Sequence, residues 1–144
     1  MSENISSITL IKSIKDIEEK ELNHALKALD ITLSQAKALS VLSKRPDNQA
    51  TLKCLEKELE LAQSVIAGTV KRLEQKKYVE SFGDPSDKRI KIVRITDLGE
   101  QTYQASQKIL AELENKVLSD LTDDEKQQLK DLLIKVRITL QTKV

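Results

Sequence analysis

Apolar side chains recur at helical spacing along most of this chain and switch to a shorter period in one stretch past its middle. Ile11, Ile14, Leu22, Ala25 and Leu29 fall near one helical face, with Glu18 the one break, and predict a long helix over about 7–29. Asp30-Ile-Thr32 forms a boundary. Thr32 with Gln35 makes a T-x-x-Q capping box that opens a second helix through about Ser43, and Arg45-Pro-Asp-Asn48 breaks the pattern. Thr51 caps a short third helix carrying Leu52, Leu55 and Leu59. Glu60-Leu-Ala62 is a tight turn, and a fourth amphipathic run follows it through Lys77. Tyr78–Phe82 and Ile90–Ile95 read as strands on either side of Gly83-Asp-Pro-Ser-Asp-Lys-Arg89, placing a hairpin over about 79–95. A fifth helix is expected from Thr96 to about Leu118. Thr122 and Glu125 form another capping box, opening a sixth helix with Leu129, Leu132, Leu133, Val136 and Leu140 on one side.

A short helix, a tight turn, a basic helix and a charged hairpin together make the layout of a winged helix-turn-helix. The expected fold is therefore mainly α (α+β). Residues 1–144 form one domain, with a nucleic-acid-binding lobe over about 32–95 and long terminal helices over about 7–29 and 98–141. Those terminal helices carry more apolar surface than so small a lobe can cover, and the simplest partner is a second copy, giving a homodimer. Two-fold symmetry would set two fourth helices one turn of duplex apart, matching a palindromic site.

Composition narrows this picture. With 144 residues, 39% hydrophobic, 33% charged, three Gly and two Pro, the chain reads as helix-rich and globular. Tyr78, Phe82 and Tyr103 are its only aromatics, so the core must be aliphatic. The sequence has no membrane span, no signal peptide and a single Cys, from which a cytoplasmic location without membrane association is expected. Net charge is only +1, but it is unevenly placed: residues 62–94 hold eight Lys/Arg against four Asp/Glu, and the remainder is slightly acidic.

On the fourth helix Ile66, Val70 and Leu73 share a narrow arc and should face the core. Ser64, Gly68, Lys71 and Gln75 lie opposite, with Val65 and Arg72 flanking them, and this outer face is the one available to double-stranded DNA. Ser64 can donate or accept, Val65 suits a thymine methyl, and Lys71 and Arg72 suit phosphate or guanine. Gly68 costs about 1 kcal/mol relative to Ala inside a helix, which reads either as room for a close approach to DNA or to the third helix or as a tolerated defect. In the hairpin tip, Gly83 allows unusual dihedrals and Pro85 suits a turn, while Lys88, Arg89 and Lys91 supply positive charge. Arg89 is placed to enter a minor groove, and Asp87 to orient it through a carboxylate–guanidinium hydrogen bond.

Asp84-Pro-Ser-Asp-Lys-Arg89, then Val93-Arg-Ile-Thr96 and Gly99, resembles the wing signature of the MarR family of bacterial transcriptional regulators. The likeness extends over about residues 8–140. It implies a homodimer held by its end helices, a wing in which Asp87 pairs with Arg89, and repression relieved by a small anionic or phenolic effector or by oxidation of a Cys. The effector would sit where the terminal helices meet the lobe. Three departures stand out. Lys77 occupies a position usually held by Gly, which is expected to reshape that junction because a left-handed cap costs Lys about 1 kcal/mol more. Ser81 stands where Arg is common, and Ala67 and Gly68 where Thr or Ser and Arg are frequent, so base readout by this helix is expected to be sparse.

Cys54, on the third helix, has no second Cys to resolve a sulfenic acid. It reads as an inert, small apolar residue, although Lys53 and Lys57 nearby would favour its thiolate. His24 reads as a surface or interface residue, and one His with one Cys gives no metal site. No cofactor is expected. The sequence offers no Gly-rich phosphate loop or metal cluster, so an enzyme is not expected. The competing reading is a winged-helix protein–protein interaction module that acts as an adaptor or anti-repressor without touching DNA.

Overall fold

The computed structural model describes residues 4–143. Its internal packing divides the chain into two compact units, Met1–Leu110 and Ala111–Val144, with the boundary inside the fifth helix. The first unit begins with α1 (Ser7–Leu26), which a single 3₁₀ turn extends to Leu29, followed by α2 (Leu33–Ser43). β1 (Gln49–Thr51) and α3 (Leu52–Leu59) come next, then α4 (Gln63–Gln75), β2 (Val79–Gly83) and β3 (Lys91–Ile95). α5 (Asp97–Val117) crosses the boundary, and α6 (Asp123–Lys143) forms most of the second unit.

Helix starts fall where local side chains can satisfy orphan N–H groups. The Thr32 hydroxyl accepts from the Gln35 backbone at 3.3 Å, and the Gln35 side chain accepts from the Thr32 N–H at 3.3 Å. Thr51 accepts from the Cys54 N–H at 3.0 Å. In the second unit, the Thr122 N–H donates to Glu125 at 2.9 Å and Thr122 accepts from the Glu125 N–H at 3.2 Å.

The core of the first unit is aliphatic. Leu39 and Leu42 of α2, Leu55 of α3, Ile66, Val70 and Leu73 of α4, and Val93 of β3 are fully buried. Each such side chain contributes about 1.5–3 kcal/mol by leaving water. The three strands form an antiparallel sheet in the order β1-β3-β2, with Ala50 opposite Val93 and Ser81 opposite Val93 from the other side. β1 was not expected from the sequence. Three residues with one apolar member show no readable period, and the strand exists because β3 supplies its partner.

Gly99, in the first turn of α5, closes this unit against the start of β2. A Cβ there would lie 2.0 Å from the Tyr78 carbonyl oxygen and 2.8 Å from Ile95 Cγ1, so only glycine fits.

Each unit leaves a long apolar stripe uncovered. Ile8, Leu10, Ile11, Ile14 and Ile17 of α1 are exposed, and Leu22 and Leu26 are that helix's buried residues. In α6 no residue is buried, although Leu129, Leu132, Leu133, Val136 and Leu140 share its surface with Ile134 and Ile138. Among the described residues no helix is long and apolar enough to cross a membrane.

Candidate nucleic-acid interface

Two local events set up the fourth helix. Glu60 ends α3 in the left-handed conformation, φ 53°, and the Leu61 N–H donates back to the Glu56 carbonyl at 3.2 Å. Ala62 then enters α4 from an extended conformation without a side-chain cap. Ile66, Val70 and Leu73 anchor the inner face, joined by Thr69, whose hydroxyl donates to the Val65 carbonyl at 2.9 Å. Ser64, Ala67, Lys71, Arg72 and Gln75 are exposed, Gly68 is partly exposed, and Val65 leaves 47% of its surface to solvent. Ser64, Val65, Gly68, Lys71, Arg72 and Gln75 therefore share an outer surface that carries two cations. A Cβ on Gly68 would meet Arg72 Nη1 at 3.5 Å, an ordinary contact. No part of α3 crowds the position, which removes that half of the explanation for a glycine there.

The hairpin tip is built by short-range hydrogen bonds. Asp84 accepts from the Ser86 N–H at 2.8 Å and from the Ser86 hydroxyl at 2.6 Å. These bonds, led by the hydroxyl, hold its carboxyl below the ordinary aspartate range. The Asp87 Oδ1 accepts from Arg89 Nε at 3.0 Å and its Oδ2 from Arg89 Nη2 at 3.1 Å. This fork lowers the Asp87 pKa and raises that of Arg89. The guanidinium is oriented but not hidden, since the Arg89 side chain is 91% exposed. Gly83 does not take a positive φ, contrary to the expectation of unusual dihedrals. It provides space instead, as a Cβ would come 3.2 Å from both the Cα and the carbonyl oxygen of Lys88.

Lys88 is exposed at the tip, but Lys91 is already engaged. Its Nζ lies 3.2 Å from Glu74 Oε1 on the last turn of α4, and the Ser81 hydroxyl donates to the same carboxylate. The Ser81 bond, with help from Lys91, holds Glu74 below the ordinary glutamate range. Arg94 is likewise spent on the sheet surface, stacked 4.7 Å over the Phe82 ring and bonded to Gln49 at 3.1 Å and Glu80 at 3.5 Å.

Lys77 takes the left-handed conformation, φ 64°, despite its side chain, so the junction after α4 keeps the shape that a glycine would give. The Thr96 hydroxyl donates to the Lys77 carbonyl at 2.7 Å and the Thr96 N–H to the Tyr78 carbonyl at 3.0 Å, which hold the turn. Sequence reasoning missed two ties that fix the end of α4 and the residue before β2 to α2 and to the turn after α1. Lys76 Nζ donates to Gln35 Oε1 at 3.0 Å and to the Asp30 carbonyl, and the Tyr78 hydroxyl donates to the Leu29 carbonyl at 3.1 Å. Cys54 is half-buried beside Arg45, whose guanidinium reaches its sulfur, a cationic neighbour that the sequence did not point to. His24 is exposed on α1. Among the described residues no cluster of three or more His, Cys, Asp or Glu side chains forms a metal cage. An open groove of about 870 Å³ lies between α1, α2 and α4, lined in part by Lys27, Lys37, Ser64, Gly68 and Arg72.

Residues 29–90 match the sequence model of the MarR family. Among curated proteins, the chain is 34% identical over 87 residues to the HTH-type transcriptional regulator BilQ of Clostridium symbiosum, covering 58% of this chain and 60% of that protein. It is 32% identical over 84 residues to the uncharacterized HTH-type transcriptional regulator YxaD of Bacillus subtilis, covering 58% and 59%. The matched segments thus span less than two thirds of those relatives' own length. Among solved structures, the reduced form of MarR from E. coli is similar with a TM-score of 0.84 and 31% identity, covering 94% of this chain and 98% of that one. A cysteine-to-serine mutant of the same protein, complexed with operator DNA, is similar with a TM-score of 0.76 and 30% identity, covering 88% and 90%.

Proposed function

The chain belongs to the MarR family, and on that footing we propose that it is a double-stranded-DNA-binding transcriptional regulator, acting as a homodimeric repressor on a palindromic operator. One observation carries the reading: a single compact unit presents both the cationic outer face of α4 and an exposed guanidinium held in a fork at the hairpin tip. A helix is the right width for the major groove, and an oriented guanidinium suits the narrow, negative minor groove beside it. In this reading Ser64, Val65, Gly68, Lys71, Arg72 and Gln75 face bases and phosphates, Lys88 and Arg89 contact the flanking backbone and groove, and Asp87 holds Arg89. Lys91 acts from within, through Glu74.

The exposed apolar stripes of α1 and α6 support pairing of two copies, since surfaces of that size are rare on soluble monomers. The groove lined by Lys27, Lys37 and Arg72 suits a small anionic or phenolic effector. Because Ser64, Gly68 and Arg72 belong to both the groove and the outer face of α4, an occupant there lowers operator affinity by linkage.

The experiment is a selection of duplexes from random-sequence DNA, followed by titration of the best one with and without a panel of aromatic carboxylates and phenols. A saturable complex that weakens by about 1,000-fold or more between about 50 and 200 mM salt supports the reading, because several phosphate contacts release counterions. Lack of saturable binding at either salt concentration contradicts it and favours a protein–protein interaction module.

A further inference from the structure

Glu74 stands where three elements of the interface meet. It lies on the last turn of α4, accepts the Ser81 hydroxyl from β2, and pairs at 3.2 Å with Lys91 at the start of β3. Both strands of the hairpin therefore end on one carboxylate of the helix that faces DNA. The side chain is 33% exposed and its neighbours keep it ionised, so it is neither a loose surface acid nor a core residue. Arg94 with Glu80 and Gln49 lies on the opposite face of the sheet, so these links stay within the sheet and leave Glu74 as the polar tie between the hairpin and α4 described here. We infer that Glu74 is a positioning residue that fixes the angle between the hairpin and α4, so that Arg89 meets the flanking groove while the outer face of α4 meets bases. This inference rests on the DNA-binding reading above.

Electrostatics and bracing predict opposite signs, which makes the inference testable. A surface acid beside a polyanion repels it, so removing one that does nothing else tightens binding, and releasing Lys91 tightens it further. Removing a brace weakens binding despite the gain in net positive charge.

The test measures affinity for the selected duplex in wild type, Glu74→Ala, Glu74→Gln and Ser81→Ala, each with and without Arg89→Ala. Ser81→Ala leaves the charge unchanged and removes one of the two links, so it keeps the inference falsifiable should Glu74→Ala not fold. Expected losses are about tenfold for Glu74→Ala and about threefold for Ser81→Ala. Glu74→Gln, which still accepts the Ser81 hydroxyl, falls between them and wild type. In the Arg89→Ala background the same changes lose little more, because a brace without the group it positions has nothing left to do. Hydroxyl-radical footprints should lose protection at the flanking minor groove while methylation protection in the major groove persists. A merely structural role would reduce both together.

Unchanged or tighter binding by Glu74→Ala overturns the inference, as does an equal loss in the Arg89→Ala background. Failure of wild type itself to bind any selected duplex overturns the DNA-binding reading instead, and the two failures are told apart by that control.

Discussion

Two of the chain's glycines pull in opposite directions. A methyl on Gly99 collides with the Tyr78 carbonyl oxygen, so Gly99→Ala should cost about 3 kcal/mol or more and lower the melting temperature by several degrees. A methyl on Gly68 meets open space and one guanidinium, so Gly68→Ala should gain about 1 kcal/mol of helix stability in a denaturant titration. If its operator affinity is unchanged as well, close approach to DNA is not what Gly68 provides. The Asp87–Arg89 fork gives a third prediction. Folding lowers the Asp87 pKa, so the fork is intact above the range where free aspartate titrates and is lost only as pH falls through the lower folded value. The Arg89 Nε–H signal in nitrogen-15 NMR should therefore persist through the ordinary aspartate range and collapse below it. Collapse within that range would show that the fork does not form in solution. At this scale the sequence is readable where partners are close along the chain: Asp87 and Arg89 are two residues apart, and so are Asp84 and Ser86. It is silent about Lys76 reaching Gln35 or Lys91 reaching Glu74, because nothing local fixes which distant group a long side chain will meet.

Elements were legible in proportion to how much of their stability is local. The capping boxes at Thr32 and Thr122 and the single cap at Thr51 act within one helical turn, and the helices start at these places. β1 was not legible, since Gln49–Thr51 owes its conformation to pairing with residues 92–94 of β3. The junction after α4 shows the converse. Lys77 argues locally for a different turn, yet the left-handed one forms where Thr96, just before α5, and Gly99, in its first turn, pack against the junction. Caps also make the element-scale prediction. Thr51→Ala should cost about 1 kcal/mol by freeing the Cys54 N–H, seen as a lower denaturant midpoint with an unchanged slope.

For the whole molecule, the apolar stripes on α1 and α6 decide the account. Each unit taken alone leaves its stripe in water, and contacts within the unit do not cover it. If two copies cover these faces, placing charges on one of them should separate the copies. Leu132→Glu together with Ile138→Glu should shift the protein from dimer to monomer in sedimentation velocity while leaving the hairpin and its Arg89 intact. In the proposed dimer the electrostatic pattern seen in the sequence, basic over 62–94 and mildly acidic elsewhere, has a geometric meaning: two copies would present two cationic faces to one duplex. The most direct test is the mass of the complex formed with a selected palindromic duplex, measured by sedimentation equilibrium at about 100 mM salt, a concentration at which phosphate contacts still hold. Two protein chains per duplex are expected, with no complex of one chain at any ratio. A lone chain in solution that binds as a lone chain, or does not bind, would contradict it.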